Sequence, residues 1–336
     1  MTNKNLKKIL VLDELCPPYD QIKVLESGIL LVKEPGVLEV DQLISRVKQD
    51  PLIKGIICSL TQKINEKVFQ ELPQIEVISN IAVGLNNIDL EAAKKYGVRI
   101  AHTPKVLSDA TADLAWALLL GGSRRLAEGD RLARSGEWKG WAVNQLLGPS
   151  LGFTENIDQN LGQKRLGIIG LGQIGQAIAR RAQGFNLDVC YYNRTRYVEL
   201  EQSYSWGFMD LDELLMQSDY IILAVALAPE TYHLLNRTRL NLMKPNAYLV
   251  NVGRGPLLDE EALIDCLESG HLSGAALDVY EYEPNIPERL RALSQVTLSP
   301  HLGSATFETR QAMSRLVIES AESIIQGKEP CGYFAI

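Results

Sequence analysis

The sequence predicts an α/β protein built from two doubly wound parallel-sheet domains, and three observations carry that expectation. The chain has 336 residues, more than one core of the commonest size and enough for two. Short apolar runs alternate with helix-length amphipathic runs along nearly all of it. Such alternation means βαβ units, because a parallel crossover needs a helix to return across the sheet. Finally, one strand and one helix are joined by glycines in the spacing of a dinucleotide-binding turn.

The first strand is KILVL (8–12). The amino terminus around it holds a few lysines, but its apolar run is short and turns acidic at Asp13 and Glu14, so it reads as a strand rather than a signal peptide. Strands GIICSL (55–60), EVISNIA (76–82) and VRIAH (98–102) follow, and Pro104 closes this region. A helical pattern then runs from about Ser108 to Arg134, with Leu114, Ala117, Leu118 and Leu126 on one stripe. Residues 135–164, rich in Gly, Asn and Gln, read as an irregular loop. The second series of strands is RLGIIG (165–170), DVCYY (188–192), YIILAVA (220–226), AYLVNVG (247–253), GAALDV (274–279) and VTLSPH (296–301). A last helical pattern, roughly 306–326, ends at Gly327 and Pro330. It comes too late for the second sheet's alternation and is expected to return to the first domain.

Composition narrows the function classes. Hydrophobic residues are 46% and charged residues 22% of the chain, which is ordinary for a soluble globular protein and excludes a disordered or fibrous one. A net charge of −7 argues against a broad nucleic-acid or anionic-membrane surface, and no apolar run reaches a membrane-spanning length. The five cysteines are scattered, odd in number and without a CxxC or paired His. Neither a disulfide framework nor a metal site is expected, and a cytoplasmic location fits.

The chemistry begins at RLGIIGLGQIGQAIARRA (165–182), where Gly170, Gly172 and Gly175 stand in GxGxxG spacing. The first glycine permits a tight turn, the second admits a pyrophosphate close to the backbone, and the third brings helix and strand together. The helix amino terminus then offers free N–H groups and partial positive charge to a diphosphate. Glycines also serve plain strand-to-helix turns, but here the turn opens a βαβ unit whose second strand ends at Tyr192. The residue after that strand selects the dinucleotide. A carboxylate there suits the ribose hydroxyls of NAD; this chain has Asn193, Arg194, Thr195 and Arg196, a fork and a hydroxyl suited to a 2'-phosphate. The alternative is a solvated basic turn. NADPH is therefore the expected cofactor, with NADH possible.

Three other groups lie at expected strand ends, where ligands bind in doubly wound sheets. Arg254 sits in GRG after AYLVNVG, Glu283 follows GAALDV, and His301 follows VTLSP. Carbonyl reduction needs a proton donor near neutral pKa and a positive group for an anionic substrate. A histidine held by a carboxylate supplies the first, and an arginine the second. The other histidines have plainer explanations: His102 at a domain junction, His233 near a helix start, His271 in a turn.

Several long stretches then identify a resemblance: NIAVGLNNIDLEAAKKYGV (80–98), TADLAWALLL (111–120), LGIIGLGQIG (166–175), NVGRGPLLDEEAL (251–263), GAALDVYEYEP (274–284) and SPHLGSAT (299–306). Over about residues 5–330 the chain resembles the D-isomer-specific 2-hydroxyacid dehydrogenase family, and most of all its glyoxylate and hydroxypyruvate reductases. The resemblance implies a Rossmann-type coenzyme domain (105–304) inserted into a flavodoxin-like substrate domain (1–104 plus 305–336), with closure between them excluding water. It implies that Arg254 binds the carboxylate and polarises the carbonyl of a small 2-keto acid, that His301 exchanges the proton, and that Glu283 orients His301. Backbone groups of Val83 and Gly84 would add substrate contacts. Coenzyme contacts would come from Thr111, Gly170, Gly172, Gln173, Ile174, Gly175, Asn193, Arg194, Thr195, Val252, Gly253, Asp278 and Gly303, with Asp278 orienting the nicotinamide carboxamide. A homodimer built on residues 108–150, with Trp138 and Trp141 as anchors, is also implied.

The sequence departs from the family pattern at Asn86 and Asp113, where Asp and Glu are usual, and the stretch 147–163 is longer than the norm. A chain stopping at Ile336 is expected to lack the regulatory domain of many phosphoglycerate dehydrogenases. Other family readings are a phosphite or 3-phosphoglycerate dehydrogenase. A reading of another class is a dinucleotide-sensing corepressor-like binding protein, which would call for longer tails and an exposed peptide groove.

Overall fold

A computed structural model describes residues 6–151, 163–329 and the backbone of 333–334. Contacts divide the chain into two units, Met1–Leu107 with Ser304–Ile336, and Ser108–Gly303. The first unit opens with strands β1 (Lys8–Val11) and β2 (Leu30–Lys33), helix α1 (Val40–Lys48), β3 (Ile53–Cys58), α2 (Glu66–Glu71), β4 (Val77–Asn80), α3 (Leu90–Tyr96) and β5 (Arg99–His102). Helix α3 shows why such segments start and stop where they do. Asp89 caps it by accepting from the Ala92 N–H, and Gly97 ends it in the left-handed conformation.

The second unit contains α4 (Ser108–Ser123), α5 (Leu126–Ser135), β6 (Arg165–Ile169), α6 (Gln173–Ala182), β7 (Asp188–Tyr192), α7 (Val198–Tyr204), β8 (Gly207–Phe208), α8 (Leu211–Gln217), β9 (Tyr220–Leu223), α9 (Arg237–Leu242), β10 (Tyr248–Asn251), α10 (Glu260–Glu268), β11 (Gly274–Leu277), α11 (Glu288–Ala292) and β12 (Val296–Leu298). Its seven strands run in the order β12-β11-β10-β9-β6-β7-β8, every pairing parallel. The order reverses between β6 and β9, the topological switch point of a Rossmann fold. Apolar side chains leave both faces, as a sheet covered on both sides requires. Ile169, Leu223, Leu249 and Leu277 enter one core, while their neighbours Ile168, Ile222, Val250 and Ala276 enter the other.

The chain then returns to the first unit as α12 (Phe307–Ile325), capped by Thr306 accepting from the Thr309 N–H, and as β13 (Tyr333–Phe334). Helix α12 packs on β3, β4 and β5, and Ser79 Oγ donates to the Val317 carbonyl at 2.9 Å. The first unit's sheet has the order β13-β5-β4-β3-β1-β2, parallel except for β13. Its parallel part is the flavodoxin-like 2-1-3-4-5 order.

Two expectations need correction. The helical pattern from Ser108 to Arg134 is two helices, because Arg125 takes a left-handed φ of 54° and the Arg125 N–H bonds Gly122 O. The buried side of α4 includes Ala112, Ala115, Trp116, Leu118 and Leu119, with Leu114 half-buried against the same core; of the expected stripe, Ala117 and Leu126 are exposed, the latter 67%. Strands β2, β8 and β13 were not expected. Two of them are two-residue edge strands, too short for a periodicity to register. Most of the long stretch 147–163 lies outside the described residues.

Candidate active site

Because β6 to β12 are all parallel, their carboxyl ends share one edge of the sheet, and the predicted residues of this unit gather there. The three loop glycines are required for different reasons. Gly170 has φ 99°, and a Cβ on it would lie 2.7 Å from the backbone of Val225. A Cβ on Gly175 would lie 2.0 Å from the Gly170 carbonyl oxygen, so α6 can approach β6 only with glycine there. Gly172 is different: a Cβ on it would meet nothing within 4 Å. No protein contact demands its smallness, and the open space lies at the amino terminus of α6, which has no side-chain cap. Exposed Gly172 and Gln173 and half-buried Ile174 make up that terminus. The residues fit a dinucleotide diphosphate, held by uncapped N–H groups against the helix dipole.

The basic cluster after β7 resolves into distinct parts. Asn193 braces the turn: its Oδ1 accepts from the Leu171 N–H at 3.3 Å and its Nδ2 donates to Thr195 O at 2.9 Å. Arg196, which the sequence offers beside Arg194 for a 2'-phosphate, is paired with Glu201 through Nε (2.9 Å) and Nη2 (2.7 Å), and its guanidinium lies over the Phe208 ring. Glu201 also accepts from buried Tyr191 Oη at 2.7 Å. The Arg196 contact, then the burial that opposes it, then Tyr191, leave the Glu201 carboxyl below its usual range. Arg194 and Thr195 are exposed, and no ion pair engages Arg194 among the described residues.

Arg254 follows β10 in a turn that its neighbours dictate. Asn251 accepts from the Gly253 N–H and donates to Arg254 O, both at 3.0 Å, while a Cβ on Gly255 would strike the Tyr280 backbone at 1.9 Å. The guanidinium donates through Nη1 to Gly253 O at 2.7 Å. Burial pulls its pKa down, and the charge of Glu283 opposes that shift. Among the described residues no carboxylate lies within ion-pairing distance of it. A half-buried cation with no carboxylate in ion-pairing distance is suited to receive an anion.

Glu283 and His301 are joined, Oε2 to Nδ1 at 2.9 Å. Burial raises the Glu283 pKa, but the bond and charge of His301, the Tyr280 N–H at 3.0 Å and nearby Arg254 outweigh it, and the carboxyl sits below the usual range. With Nδ1 engaged, Nε2 is the ring atom left for proton exchange. His301 has φ 54°, a conformation that costs a non-glycine residue energy and is tolerated where surroundings over-determine it. Asp278 supplies that constraint. Its backbone oxygen accepts from the His301 N–H at 3.0 Å, and its carboxylate accepts from Ser299 Oγ (2.5 Å), Leu302 N–H (2.7 Å) and Gly303 N–H (2.8 Å). Thr111 Oγ1 donates to Gly303 O at 3.0 Å, tying α4 to the same loop. Val252 and Gly253 are buried at the end of β10.

Val83 and Gly84 belong to the first unit, in the turn after β4. Sequence reasoning missed the residues that brace these loops: Asn251 and Ser299 in the second unit, Asn80 and His102 in the first. Their signal is a polar residue closing a strand just before a glycine or proline turn. The departure at Asp113 has a use, since it accepts from Arg181 Nε at 2.7 Å and pins α4 to α6.

A model of the D-isomer specific 2-hydroxyacid dehydrogenase family, NAD binding domain, matches residues 116–303. The glyoxylate reductase of Thermococcus onnurineus (strain NA1) is 43% identical over 92% of this chain and 92% of its own. Among solved structures, a glyoxylate reductase from Paecilomyes thermophila is similar with a TM-score of 0.85 at 31% identity, covering 98% of both chains. An NADPH-dependent glyoxylate/hydroxypyruvate reductase from Sinorhizobium meliloti, solved with NADP and malonate, is similar with a TM-score of 0.81 at 29% identity, covering 97% of this chain and 96% of its own. With these similarities and an edge that fits a dinucleotide, the chain belongs to the D-isomer specific 2-hydroxyacid dehydrogenase family and is an NAD(P)-dependent oxidoreductase.

Proposed function

We propose that the protein reduces a small 2-keto acid, glyoxylate or hydroxypyruvate, to the D-2-hydroxy acid, and that it uses NADPH in preference to NADH. The observation that carries the reading is the half-buried Arg254 guanidinium, with no carboxylate within ion-pairing distance among the described residues, near a Glu283–His301 pair. When bound, the dihydronicotinamide supplies the hydride. Arg254 binds the substrate carboxylate and polarises the carbonyl, a charge-assisted contact that strengthens as negative charge grows on oxygen. His301 Nε2 donates the proton to that oxygen, while Glu283 holds Nδ1 and favours the charged ring. Val83 and Gly84 are proposed as further backbone donors to the carboxylate, a role that rests on the resemblance. Thr111, Val252, Gly253, Asp278 and Gly303 are assigned to the nicotinamide end and the α6 terminus to the diphosphate. Arg194 and Thr195 are assigned to a 2'-phosphate. The names of the curated relatives and of the NADP-complexed neighbour support the substrate and coenzyme assignments. We place the protein in the cytoplasm, where its thiols stay reduced, as a homodimer.

The test is a panel of small 2-keto acids assayed in parallel with NADH and NADPH. Glyoxylate and hydroxypyruvate are expected to be turned over best. His301→Ala is expected to lower kcat by roughly 10²- to 10⁴-fold with little change in coenzyme binding. Arg254→Ala is expected to lower kcat/KM by about 10²-fold, mainly through the keto acid. Protein that binds NADPH but oxidises it with none of the acids overturns the proposal.

A further inference from the structure

The turn after β4 contains a construction that the reaction chemistry does not itself explain. Three consecutive carbonyl oxygens are tied to the protein. Ala82 O accepts from the Thr103 N–H at 2.9 Å. Val83 O is bonded to His102 Nδ1 at 3.0 Å. Gly84 O accepts from Asn80 Nδ2 at 3.0 Å, and Asn80 is fully buried. These peptides are trans, and in a planar trans peptide the N–H points opposite to the carbonyl that precedes it. Fixing the carbonyls of residues 82, 83 and 84 therefore fixes the N–H groups of Val83, Gly84 and Leu85, each pointing away from its anchor. None of the three N–H groups meets an acceptor among the described residues. All three residues are only half-buried.

We infer that His102 is a positioning residue for substrate: by holding Val83 O it aims the Gly84 N–H, and with Asn80 and the Thr103 N–H it preorganises a cradle of backbone donors for the keto acid's carboxylate. The inference rests on the proposed role of Val83 and Gly84 and adds Leu85 N–H as a donor of the same cradle. A carbonyl acceptor requires that Nδ1 carry the hydrogen, which both the neutral Nδ1–H tautomer and the charged ring provide. The bond therefore does not depend on the ring's charge. Preorganisation matters because a loop free to rotate its peptides must be ordered at the moment of binding, which weakens affinity without altering the chemical step.

The geometry allows a controlled test. Asn Nδ2 stands at the same distance along the side chain as His Nδ1, so His102→Asn keeps a donor to Val83 O. His102→Asp places an acceptor there, and His102→Ala removes the group. The purified full chain and these three variants are assayed with glyoxylate and NADPH, and thermal unfolding is recorded for each. The expected result is a KM for glyoxylate raised about tenfold in His102→Ala and at least as much in His102→Asp, the size of one net hydrogen bond. kcat and the KM for NADPH stay within about twofold of the parent, and His102→Asn restores the glyoxylate KM. An unchanged glyoxylate KM in His102→Ala overturns the inference. So does a His102→Asn variant as impaired as His102→Ala, or a fall in kcat, coenzyme affinity and melting temperature together. The parent enzyme's own turnover separates the levels: no turnover of any 2-keto acid defeats the proposed function and this inference with it, whereas normal turnover with insensitive His102 variants defeats this inference alone.

Discussion

Two arginines separated by a single threonine have opposite fates. Arg194 and Arg196 are chemically identical, and in sequence either suits a 2'-phosphate. In the fold Arg196 is held by Glu201, itself 13% exposed and bonded to Tyr191, so moving the guanidinium to a ligand would break a bidentate pair. Arg194 has no such pair to break. If the proposed coenzyme preference is right, Arg194→Ala lowers the NADPH to NADH ratio of kcat/KM by at least about tenfold, the loss of one charge-assisted bond. Arg196→Ala leaves the ratio within about twofold. Steady-state kinetics with both coenzymes decides it, and a larger effect at Arg196 than at Arg194 reverses the assignment. The same logic separates the histidines. His301 was legible from sequence because it follows an apolar run and a proline at a strand end, whereas His102 looked like a junction residue because its partner, Val83 O, is 19 residues away in the chain.

At the level of the element, the glycine turn was legible almost completely, because each glycine answers a local constraint of the strand-turn-helix unit. The spacing assigns the first and third glycines to the fold and the second to a ligand, and the close contacts divide them the same way. Gly175→Ala puts a methyl group on a backbone oxygen and is expected to destabilise the protein by roughly 1–3 kcal/mol, as overpacking of a tight contact does. Gly172→Ala puts its methyl group into open space and is expected to leave the melting temperature within about 2 °C while weakening coenzyme binding. Thermal unfolding beside a coenzyme titration checks the pair; a large melting loss at Gly172 refutes the distinction. The helix beyond Ser108 was misread for the complementary reason. Its break at Arg125 comes three residues after Gly122, where a Cβ would lie 1.9 Å from Tyr248 Oη on a strand more than a hundred residues later. Periodicity within the segment carries no trace of that contact.

For the molecule as a whole, one surface feature that the proposed chemistry does not use is apolar. Leu126, Trp138, Trp141, Val143 and Leu147 are all more than half exposed, Trp141 at 82%, within one short stretch of the second unit. Exposed large apolar side chains grouped in one stretch suit an interaction surface, and the proposed homodimer would cover them. A Trp138→Glu, Trp141→Glu double variant is expected to sediment as a monomer where the parent sediments as a dimer; parent and variant of identical mass in analytical ultracentrifugation sink this assembly. Sequence by itself determined the fold class, nearly every long strand, the glycine turn and the placement of Arg254, Glu283 and His301 after strand ends, because each depends on local periodicity or on a residue's place at a strand end. Only the tertiary structure decided which of two arginines stays available, which residues brace His301 in its left-handed conformation, and how three carbonyls are tied down to aim three N–H groups. Those decisions are made by hydrogen bonds and close contacts between strands distant in the chain, and such contacts leave no period in the sequence to read.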